Sequence, residues 1–451
     1  MKFNKKSAIA MMLAGCTVFG LAGCGSPEAE RYPQYADDKV MMIGGWDPPI
    51  PTLEDYQMAK DMGLTHMFID NVFAAKGTEL YLKQLELCEQ VGLKAIVGMD
   101  TSLDNAANKP EDLTDYSSYS AVEMINVWDE PGTGEFEAVK QRILNQNKIY
   151  ADQGKDMVMY VNLNPTNPTS FANAGTAGTT STEDYLTKFC TEVLPSIQGR
   201  KILSTDIYAL KKTVFNENVI DDRWVERLST YGWFAKEYDC DFHFFLQSYS
   251  AGNERDIVDK ADLTFQVYTD MAFGVNAFSW FTYRKSFLDG FGGGCVENNV
   301  STTKTYLYDW VQEVNAELAS FDHVYLSFDW EGVMPILGTL NTADDPEYEN
   351  SDFVNIYEKS KLSSLACGSV TSTQDALVGQ FKDKDGNCGL MVTNYTEPTQ
   401  GLNTRIDFNF TKANRAIVYR NGVKKVYEVK DGKLNLNLES GEGMFVIPVQ
   451  V

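Results

Sequence analysis

Short apolar runs alternate with amphipathic stretches along most of the chain. The runs are rich in β-branched and aromatic side chains and are apolar almost throughout, which is typical of strands buried on both faces. The eight strands predicted in this way are Val40–Trp46, Thr65–Asn71, Lys94–Asp100, Val122–Trp128, Met157–Leu163, Ile202–Tyr208, Phe242–Gln247 and Val275–Phe281. The stretches between them have the apolar spacing of helices, and several end at a glycine directly before the next strand.

Eight strand–helix units in succession predict an α/β fold, a (β/α)8 TIM barrel, over residues 39–322. An open, doubly wound sheet is the alternative, but no glycine-rich phosphate-binding turn follows the first predicted strand. At about residue 322 helical spacing gives way to short alternating runs, which are separated by turn sequences such as Asn421-Gly422 and Asp431-Gly432. Residues 323–451 are therefore predicted to form a C-terminal all-β sandwich domain.

The N-terminal residues have the pattern of an export signal. Three lysines precede an apolar segment that ends in Leu-Ala-Gly-Cys24, a sequence that looks like a bacterial lipobox. A similar sequence ends at Cys16, but it lies inside the apolar segment. We therefore expect residues 1–23 to be a lipoprotein signal peptide, Cys24 to carry the lipid, and residues 24–38 to be a tether. The expected location is the outer face of a cell membrane, where the lipid would anchor the protein without a membrane-spanning helix.

The net charge of the chain limits the classes of molecule that we expect it to bind. The formal net charge is −24, and removal of the predicted signal peptide with its three lysines would take it to −27. This excess of negative charge argues against nucleic acids and anionic membrane surfaces as partners, and it is compatible with a neutral carbohydrate. The six cysteines after Cys24 and the three histidines of the chain lack the spacing of a metal site. The sequence therefore predicts neither a metal nor a cofactor.

Two carboxylates directly follow the fourth predicted strand. The strand runs into Asp129, Glu130 and Pro131, and the proline ends it because proline lacks a backbone N–H and disfavours helical angles at Glu130. In a (β/α)8 barrel the carboxyl ends of the strands carry the chemistry. Hydrolysis of a glycosidic bond needs one carboxylic acid to protonate the leaving oxygen and a second carboxylate as nucleophile or base. We predict Glu130 as the acid and Asp206, at the carboxyl end of the sixth strand, as the second carboxylate that acts as nucleophile or base, with Glu254 in reserve.

The ends of the other strands also carry polar or aromatic residues, which we predict to bind the substrate. The predicted substrate-binding residues are Trp46, Asp47, Asp70, Asp129, Asn162, Tyr208, Gln247, Trp280 and Tyr283. Trp280 is expected to stack on a sugar ring, and Asp129 is expected to hold Glu130 in place. For Asp47 and Asp70, capping of the next helix or support of a loop is an equally good interpretation.

The ends of strands four and eight resemble a large clan of (β/α)8-barrel glycoside hydrolases that includes β-galactosidase-like enzymes. In that clan strand four ends in Asn-Glu, often followed by proline, and here Asp129, Glu130 and Pro131 stand at those positions. The resemblance implies hydrolysis of O-glycosidic bonds with Glu130 as acid/base, and a trailing β domain also occurs in several of these families. The sequence departs from the pattern of the clan at two positions. Asp129 replaces an Asn that binds a sugar hydroxyl in the clan, and strand seven ends at Gln247 where the clan has a nucleophilic Glu.

Three functions remain open at this point. The first is an exported, lipid-anchored glycoside hydrolase that works by a two-carboxylate mechanism on carbohydrate outside the cell. The second is a non-catalytic glycan-binding lipoprotein on a glycosidase scaffold, which the missing strand-seven Glu favours. The third is a solute-binding lipoprotein of a transporter, which the lipobox favours but which eight consecutive strand–helix units do not suggest.

Overall fold

The computed structural model describes residues 32–69, 76–98, 115–165, 181–286, 290–297, 303–340 and 353–451. Almost all of these residues, from Tyr35 to Gln450, form one compact unit. The predicted signal peptide, Cys24 and Asp70 lie outside the described residues, and their proposed roles therefore stay predictions. Within the described ranges, every helix is too short or too polar to span a bilayer.

Eight parallel strands close into a barrel, as the apolar pattern predicts. Their bounds are Met42–Gly45 (β1), His66–Phe68 (β2), Lys94–Val97 (β3), Val122–Asp129 (β4), Val158–Leu163 (β5), Ile202–Thr205 (β6), Asp241–Gln247 (β7) and Ala277–Phe281 (β8). Each strand pairs with its neighbours in sequence, and β1 pairs with β8 to complete the ring. This closure excludes the open, doubly wound sheet.

Helices follow the barrel strands wherever the connections are described. Their bounds are Leu53–Asp61 (α1), Glu79–Val91 (α2), Phe136–Ala151 (α3), Thr182–Glu192 (α4), Asp222–Glu237 (α5), Lys260–Ala272 (α6) and Tyr306–Ala319 (α7). Thr52, Thr78 and Ser181 cap three of these helices, because their side-chain oxygens accept a backbone N–H of the first turn. A short helix, Asp322–Tyr325 (α8), leads into the C-terminal domain.

The C-terminal domain is an antiparallel β-sandwich, as predicted. Its strands are Phe328–Ile336 (β9), Gly368–Ser372 (β10), Ala376–Asp383 (β11), Cys388–Asn394 (β12), Thr404–Phe410 (β13), Arg415–Arg420 (β14), Val423–Glu428 (β15), Lys433–Leu438 (β16) and Gly443–Val449 (β17). One sheet has the order β9-β11-β12-β17-β14-β15 and the other β10-β13-β16. Apolar side chains from both sheets, such as Val392 and Phe408, share one core. The sequence pattern misses β9 and β10, since Gly332 and Pro335 interrupt the first and small polar residues fill the second.

The sandwich packs closely against the barrel. Gly379 of β11 lies so near Ala272 of α6 that a Cβ on the glycine would collide with the Ala272 carbonyl. The indole Nε1 of Trp330 donates to the same carbonyl at 3.0 Å. Nearby, the fully buried guanidinium of Arg255 is held by Asp262 of α6 and by Glu397 of the sandwich, each at 2.6 Å. These contacts fix the barrel and the sandwich to each other.

Alternate residues of each barrel strand face the interior, and only these residues can place their side chains in the mouth of the barrel. The middle of the interior is apolar and includes Met124, Ile202 and Phe245. Toward the carboxyl ends the inward residues become polar or aromatic. The mouth of the barrel is therefore lined by the inward-facing residues that come after this apolar layer in each strand.

Candidate active site

The end of β4 brings two carboxylates into the mouth of the barrel. The register between β4 and β5 shifts between Asn126 and Trp128, so that Asp129 pairs with Asn162 and both side chains face inward. Glu130 follows with a positive φ of 49° and donates its N–H to the Asn162 carbonyl at 2.8 Å. Because Pro131 cannot extend the strand, the chain turns here with both carboxylates on the interior side.

Asn162 joins the carboxylates of two strands. Its Nδ2 lies 3.1 Å from Asp129 Oδ1 and 3.0 Å from Asp206 Oδ1, and its Oδ1 accepts from Ser204 Oγ at 2.9 Å. The side chain is almost completely buried, with 4% of its surface exposed. Both amide protons and the carbonyl are thus used within the protein. Asn162 was predicted to bind substrate, but it lacks the exposure and the spare hydrogen-bonding groups for that role, and it instead positions the two carboxylates.

Glu130 and Asp206 lie close enough for each to shift the pKa of the other. Burial and the nearby charge of Asp129 raise the pKa of Glu130 to about 7. Burial, together with the charges of Glu130 and Asp129, raises the pKa of Asp206 well above its ordinary value. Burial likewise raises the pKa of Asp129. The pair therefore titrates as one unit and keeps a shared proton near neutral pH.

Aromatic side chains form one wall of the mouth. Tyr208 donates its hydroxyl to Asp206 Oδ2 at 3.4 Å, and its ring lies 5.7 Å from that of Phe281 and 4.7 Å from that of Tyr249. The ring of Trp46 lies 6.3 Å from Phe281 on the other side. Trp46, Tyr208 and Phe281 are only half-buried. These three rings therefore offer apolar faces to a ligand beside the carboxylates.

Trp280 does not belong to this wall. It is fully buried, and its Nε1 donates to Asn315 of α7 at 3.0 Å, on the outside of the barrel. The prediction that Trp280 stacks on a sugar is therefore wrong. The neighbouring Phe281 has the inward parity and takes the position in the mouth.

Gln247 and Tyr283 are also fully buried, and their predicted contacts with substrate are wrong. Gln247 Nε2 donates to the carbonyls of Leu210, Tyr249 and Arg255 at 3.2, 3.3 and 3.2 Å, and its Oε1 accepts from the Leu210 N–H. The amide thus ties the segment after β6 to the segment after β7. A carboxylate at position 247 would face these three carbonyl oxygens.

Two further predicted residues lie outside the carboxylate cluster. Glu254, the reserve carboxylate, forms an ion pair with Lys211 at 2.6 Å, so it is engaged in holding two loops together. Asp47 lies in the loop after β1, where its Oδ1 is 4.0 Å from the buried guanidinium of Arg284. Its predicted contact with substrate stays a prediction.

A cavity of about 520 Å³ lies at the opposite end of the barrel. Its lining includes Asp241 at the start of β7, Arg200 just before β6, and Trp330 of the sandwich. It contains none of the carboxylates described above. Since the amino ends of barrel strands contribute to stability rather than to chemistry, we do not assign the active site to this cavity.

Sequence reasoning missed several residues of the mouth and its support. Phe281, Ser204, His243 and Tyr160 all face inward, but the runs that contain them were interpreted only as buried strands. Alternate residues of a strand share one face. Ser204 therefore lies on the same face as Asp206, and His243 on the same face as Gln247, so both could have been predicted to be inward-facing polar residues. The same alternation in β8 would have preferred Phe281 to Trp280.

No protein-family model matches the sequence, and no curated protein matches it. Among solved structures, a β-L-arabinopyranosidase from Geobacillus stearothermophilus is similar with 10% identity, a TM-score of 0.48, and coverage of 92% of this chain and 98% of that chain. An endo-β-1,4-glucanase from Xanthomonas axonopodis pv. citri has 10% identity, a TM-score of 0.41, and coverage of 61% and 98%. A β-galactosidase from Marinomonas ef1 has 10% identity, a TM-score of 0.38, and coverage of 65% and 63%. All three TM-scores are below 0.5, so we base no functional conclusion on them.

Proposed function

We propose that this protein is a glycoside hydrolase that cleaves O-glycosidic bonds with Glu130 and Asp206. One observation carries the proposal: these two carboxyl groups interact with each other in the mouth of a (β/α)8 barrel, and the pKa of Glu130 is raised to about 7. A carboxylic acid that keeps its proton near neutral pH is what protonation of a leaving oxygen requires. A second carboxylate within reach of the same bond completes the pair that glycoside hydrolysis uses.

The two carboxyl groups have different roles in this proposal. Glu130 donates a proton to the glycosidic oxygen, and Asp206 acts as the nucleophile or as the base that activates water. Inverting enzymes hold their carboxyl groups about 6.5–9.5 Å apart, and retaining enzymes hold them about 5–5.5 Å apart. The configuration of the released sugar, measured by proton NMR during hydrolysis, decides between the two courses.

The surroundings of the pair support a carbohydrate substrate. Trp46, Tyr208 and Phe281 offer half-exposed rings that can stack on sugar faces. The chain as a whole carries a net charge of −24, which favours a neutral glycan over an acidic one. We propose Asp47 and Asp129 as hydrogen-bond acceptors for sugar hydroxyls. No cofactor is needed for this reaction.

The test uses a panel of chromogenic glycosides and neutral polysaccharides. We expect the wild type to hydrolyse at least one of them, and Glu130→Gln or Asp206→Asn to lower turnover at least a hundredfold while the circular dichroism spectrum is unchanged. Glu254→Gln is the matched control, because it removes a carboxylate near the mouth that is paired with Lys211, and it should retain turnover within a few-fold. Near-normal turnover in both of the first two variants would overturn the assignment.

A second candidate is a non-catalytic glycan-binding protein. The observation in its favour is the end of β7, where Gln247 supplies no carboxylate and is fully engaged by backbone groups. In that case the wild type would bind a glycan from the same panel without hydrolysing it, and Glu130→Gln would leave the affinity unchanged. Calorimetry on the panel separates the two functions.

We also propose that the protein is exported and lipid-anchored through Cys24. The support is the lipobox-like sequence that precedes it. In a bacterial host the wild type should partition into the membrane fraction, whereas Cys24→Ser should lose the lipid and leave that fraction. The same distribution for both would contradict the anchor.

A further inference from the structure

A chain of buried hydrogen bonds runs beneath the carboxyl pair and connects four barrel strands. Asn162 Oδ1 on β5 lies 2.9 Å from Ser204 Oγ on β6, and Ser204 Oγ lies 2.9 Å from His243 Nδ1 on β7. His243 Nε2 lies 2.8 Å from Ser279 Oγ on β8. Ser204, His243 and Ser279 have no exposed surface. Water therefore does not compete with these bonds, and each group must find its partner within the chain.

The Asn162 end of this hydrogen-bond chain determines which group donates in each bond. Asn162 touches two carboxylates through one end of its amide and Ser204 through the other. Carboxylates only accept hydrogen bonds when ionised, so the end that faces them must be the NH2 group, with one proton for Asp129 and one for Asp206. The carbonyl end must then accept, and Ser204 must be its donor.

Ser204 has a single hydroxyl proton, and this proton goes to Asn162. Its other two neighbours, Tyr160 Oη at 2.6 Å and His243 Nδ1 at 2.9 Å, must therefore donate to the two lone pairs of Ser204 Oγ. The requirement fixes a proton on His243 Nδ1. The hydroxyl of Tyr160 meets the same requirement because it can rotate.

His243 has only one ring proton to place. Burial, with a smaller contribution from the positive charges of His66 and Arg200, lowers the pKa of His243 to about 3, so the ring is neutral at physiological pH. With the proton on Nδ1, the bare Nε2 accepts from the Ser279 hydroxyl. A proton on Nδ1 supplies the donor for the 2.9 Å contact between His243 and Ser204, whereas the other tautomer leaves that contact without a donor and makes Nδ1 an acceptor for Tyr160 Oη at 3.3 Å.

We propose that His243 is a positioning residue that acts through Ser204 and Asn162 to hold the Asn162 NH2 group against Asp129 and Asp206, where it favours the ionised form of Asp206. Asp206 Oδ1 accepts from Asn162, and Asp206 Oδ2 accepts from Tyr208 at 3.4 Å. Both oxygens of Asp206 thus accept hydrogen bonds, and these bonds oppose the rise in the pKa of Asp206 that burial and the charges of Glu130 and Asp129 cause. The catalytic meaning of this arrangement rests on the proposed hydrolase function, whereas the proton positions do not.

The titratable groups around the chain allow this assignment. The groups that interact electrostatically with Glu130 or Asp206 are Asp129, Tyr160, Tyr185, Tyr208, Tyr231 and Tyr249. Burial raises the pKa of each of these tyrosines, so all five are neutral donors below pH 9. Asp129 contributes negative charge, and this charge opposes ionisation of the pair. Hydrogen bonds from Asn162 and Tyr208 are thus what favours the ionised form of Asp206.

Nitrogen-15 NMR of the full chain tests the proton positions without any substrate. The chain has three histidines, so the signal of His243 can be assigned by comparison with a His66→Gln and a His323→Gln variant. We expect His243 to be neutral between pH 5 and 8 with its proton on Nδ1. A proton on Nε2, or titration of the ring within this range, would overturn the proposal whatever the enzyme does.

The second measurement is the pH dependence of hydrolysis in Ser204→Ala. Without its donor the Asn162 amide is no longer held with NH2 toward Asp206, so the pKa of Asp206 should rise and the acidic limb of kcat/KM should move up by about one pH unit, a tenfold loss on that limb. Thr205→Val is the matched control, because it removes a buried hydroxyl from the same strand that bonds to the Leu163 carbonyl instead. It should leave the acidic limb in place. An unchanged limb in a folded Ser204→Ala would refute the coupling.

Failure of this proposal and failure of the proposed function give different results. If His243 carries its proton on Nδ1 but no glycoside is hydrolysed, the hydrogen-bond directions stand and the hydrolase function falls. If glycosides are hydrolysed and the Ser204→Ala limb does not move, the function stands and the positioning role of His243 falls.

Discussion

Two clusters of buried acidic groups in this protein have opposite electrostatic surroundings. In one, Asp262 and Glu397 each lie 2.6 Å from the guanidinium of Arg255, and all three side chains have at most 6% of their surface exposed. In the other, Asp129, Glu130 and Asp206 share the barrel mouth, and among the described residues none of the groups that shift the pKa of Glu130 or Asp206 is a cation. The first cluster pairs two carboxyl groups with one guanidinium, and the second has no such partner and keeps a proton.

This difference separates structural stability from function. The Arg255 cluster joins α6 to the sandwich, and its guanidinium attracts one carboxylate from each side of the interface. The carboxyl cluster costs stability, because uncompensated like charges are held together without solvent. Proteins keep such an arrangement where a perturbed pKa is useful. The carboxyl ends of β4 and β6 are therefore the place to look for chemistry, and the Arg255 cluster is not.

The largest effect on stability is expected at the compensated cluster. Asp262→Ala leaves the buried guanidinium of Arg255 with one carboxylate instead of two, and it should lower the free energy of unfolding by about 3–5 kcal/mol. Urea denaturation of the full chain at pH 7 measures this. Asp309→Ala, which removes an exposed carboxylate 3.9 Å from Lys304, should change stability by less than about 1 kcal/mol. Equal effects of the two variants would mean that the buried Arg255 cluster contributes no more to stability than an exposed ion pair.

Removal of a carboxyl group from the carboxyl cluster should stabilise the protein, which is the opposite of the effect expected at the Arg255 cluster. The pKa of Glu130 is about 7 when folded and close to 4.3 when unfolded, so the unfolded chain loses this proton first and stability falls as the pH rises through that window. Glu130→Gln has no such proton, so above pH 7 it should be more stable than the wild type, on the order of 2–3 kcal/mol.

The gain in stability from Glu130→Gln should disappear at pH 4, where the wild-type carboxyl is protonated in both states. Thermal unfolding of the two proteins from pH 4 to 8 makes this comparison. A Glu130→Gln protein that is less stable than the wild type at pH 8 would show that Glu130 is compensated in the same way as Asp262.

A smaller effect is expected when one charge of the uncompensated cluster is removed. Asp129→Asn takes away the neighbouring charge that raises the pKa of Glu130, so that pKa should fall and the alkaline limb of kcat/KM should move to lower pH by about one unit. The pH profile of hydrolysis measures the shift. A limb that stays in place would mean that burial alone accounts for the raised pKa of Glu130.

The smallest effect concerns the aromatic wall. Phe281→Ala should raise KM about 2–10-fold with little change in kcat, since it removes one stacking face beside the pair. Trp280→Phe is the contrasting variant, because Trp280 is buried against α7 and bonds to Asn315. It should lower the unfolding temperature and leave KM unchanged. A raised KM in Trp280→Phe together with an unchanged KM in Phe281→Ala would place Trp280, not Phe281, in the site.

The sequence predicted the architecture closely and the site in part. The barrel strands and helices were located within a few residues, because strands buried on both faces and helices that end at glycine give strong local signals. Glu130 and Asp206 were chosen for their places at strand ends, and the structure brings them together. The inward face of β8 was harder to predict, since Trp280 and Phe281 are both aromatic and only the polar Ser279, two residues before Phe281, marks the inward positions.

The polar support beneath the pair could not have been predicted from local patterns. Ser204 and His243 lie in separate apolar strands, and their connection exists only because β6 and β7 are neighbours in the closed barrel. The role of Gln247 also depends on three loop carbonyls that meet only in the folded chain. Such contacts follow from tertiary structure and leave no periodic signal in the sequence.

The most direct test of the central claim is kcat/KM of the wild type for a hydrolysed glycoside from pH 4 to 9. We expect a bell-shaped profile whose alkaline limb falls near pH 7, where Glu130 loses its proton, and Glu130→Gln should have at most a hundredth of the wild-type value at the optimum. A profile with no alkaline limb below pH 9, or wild-type rates in Glu130→Gln, would contradict the account.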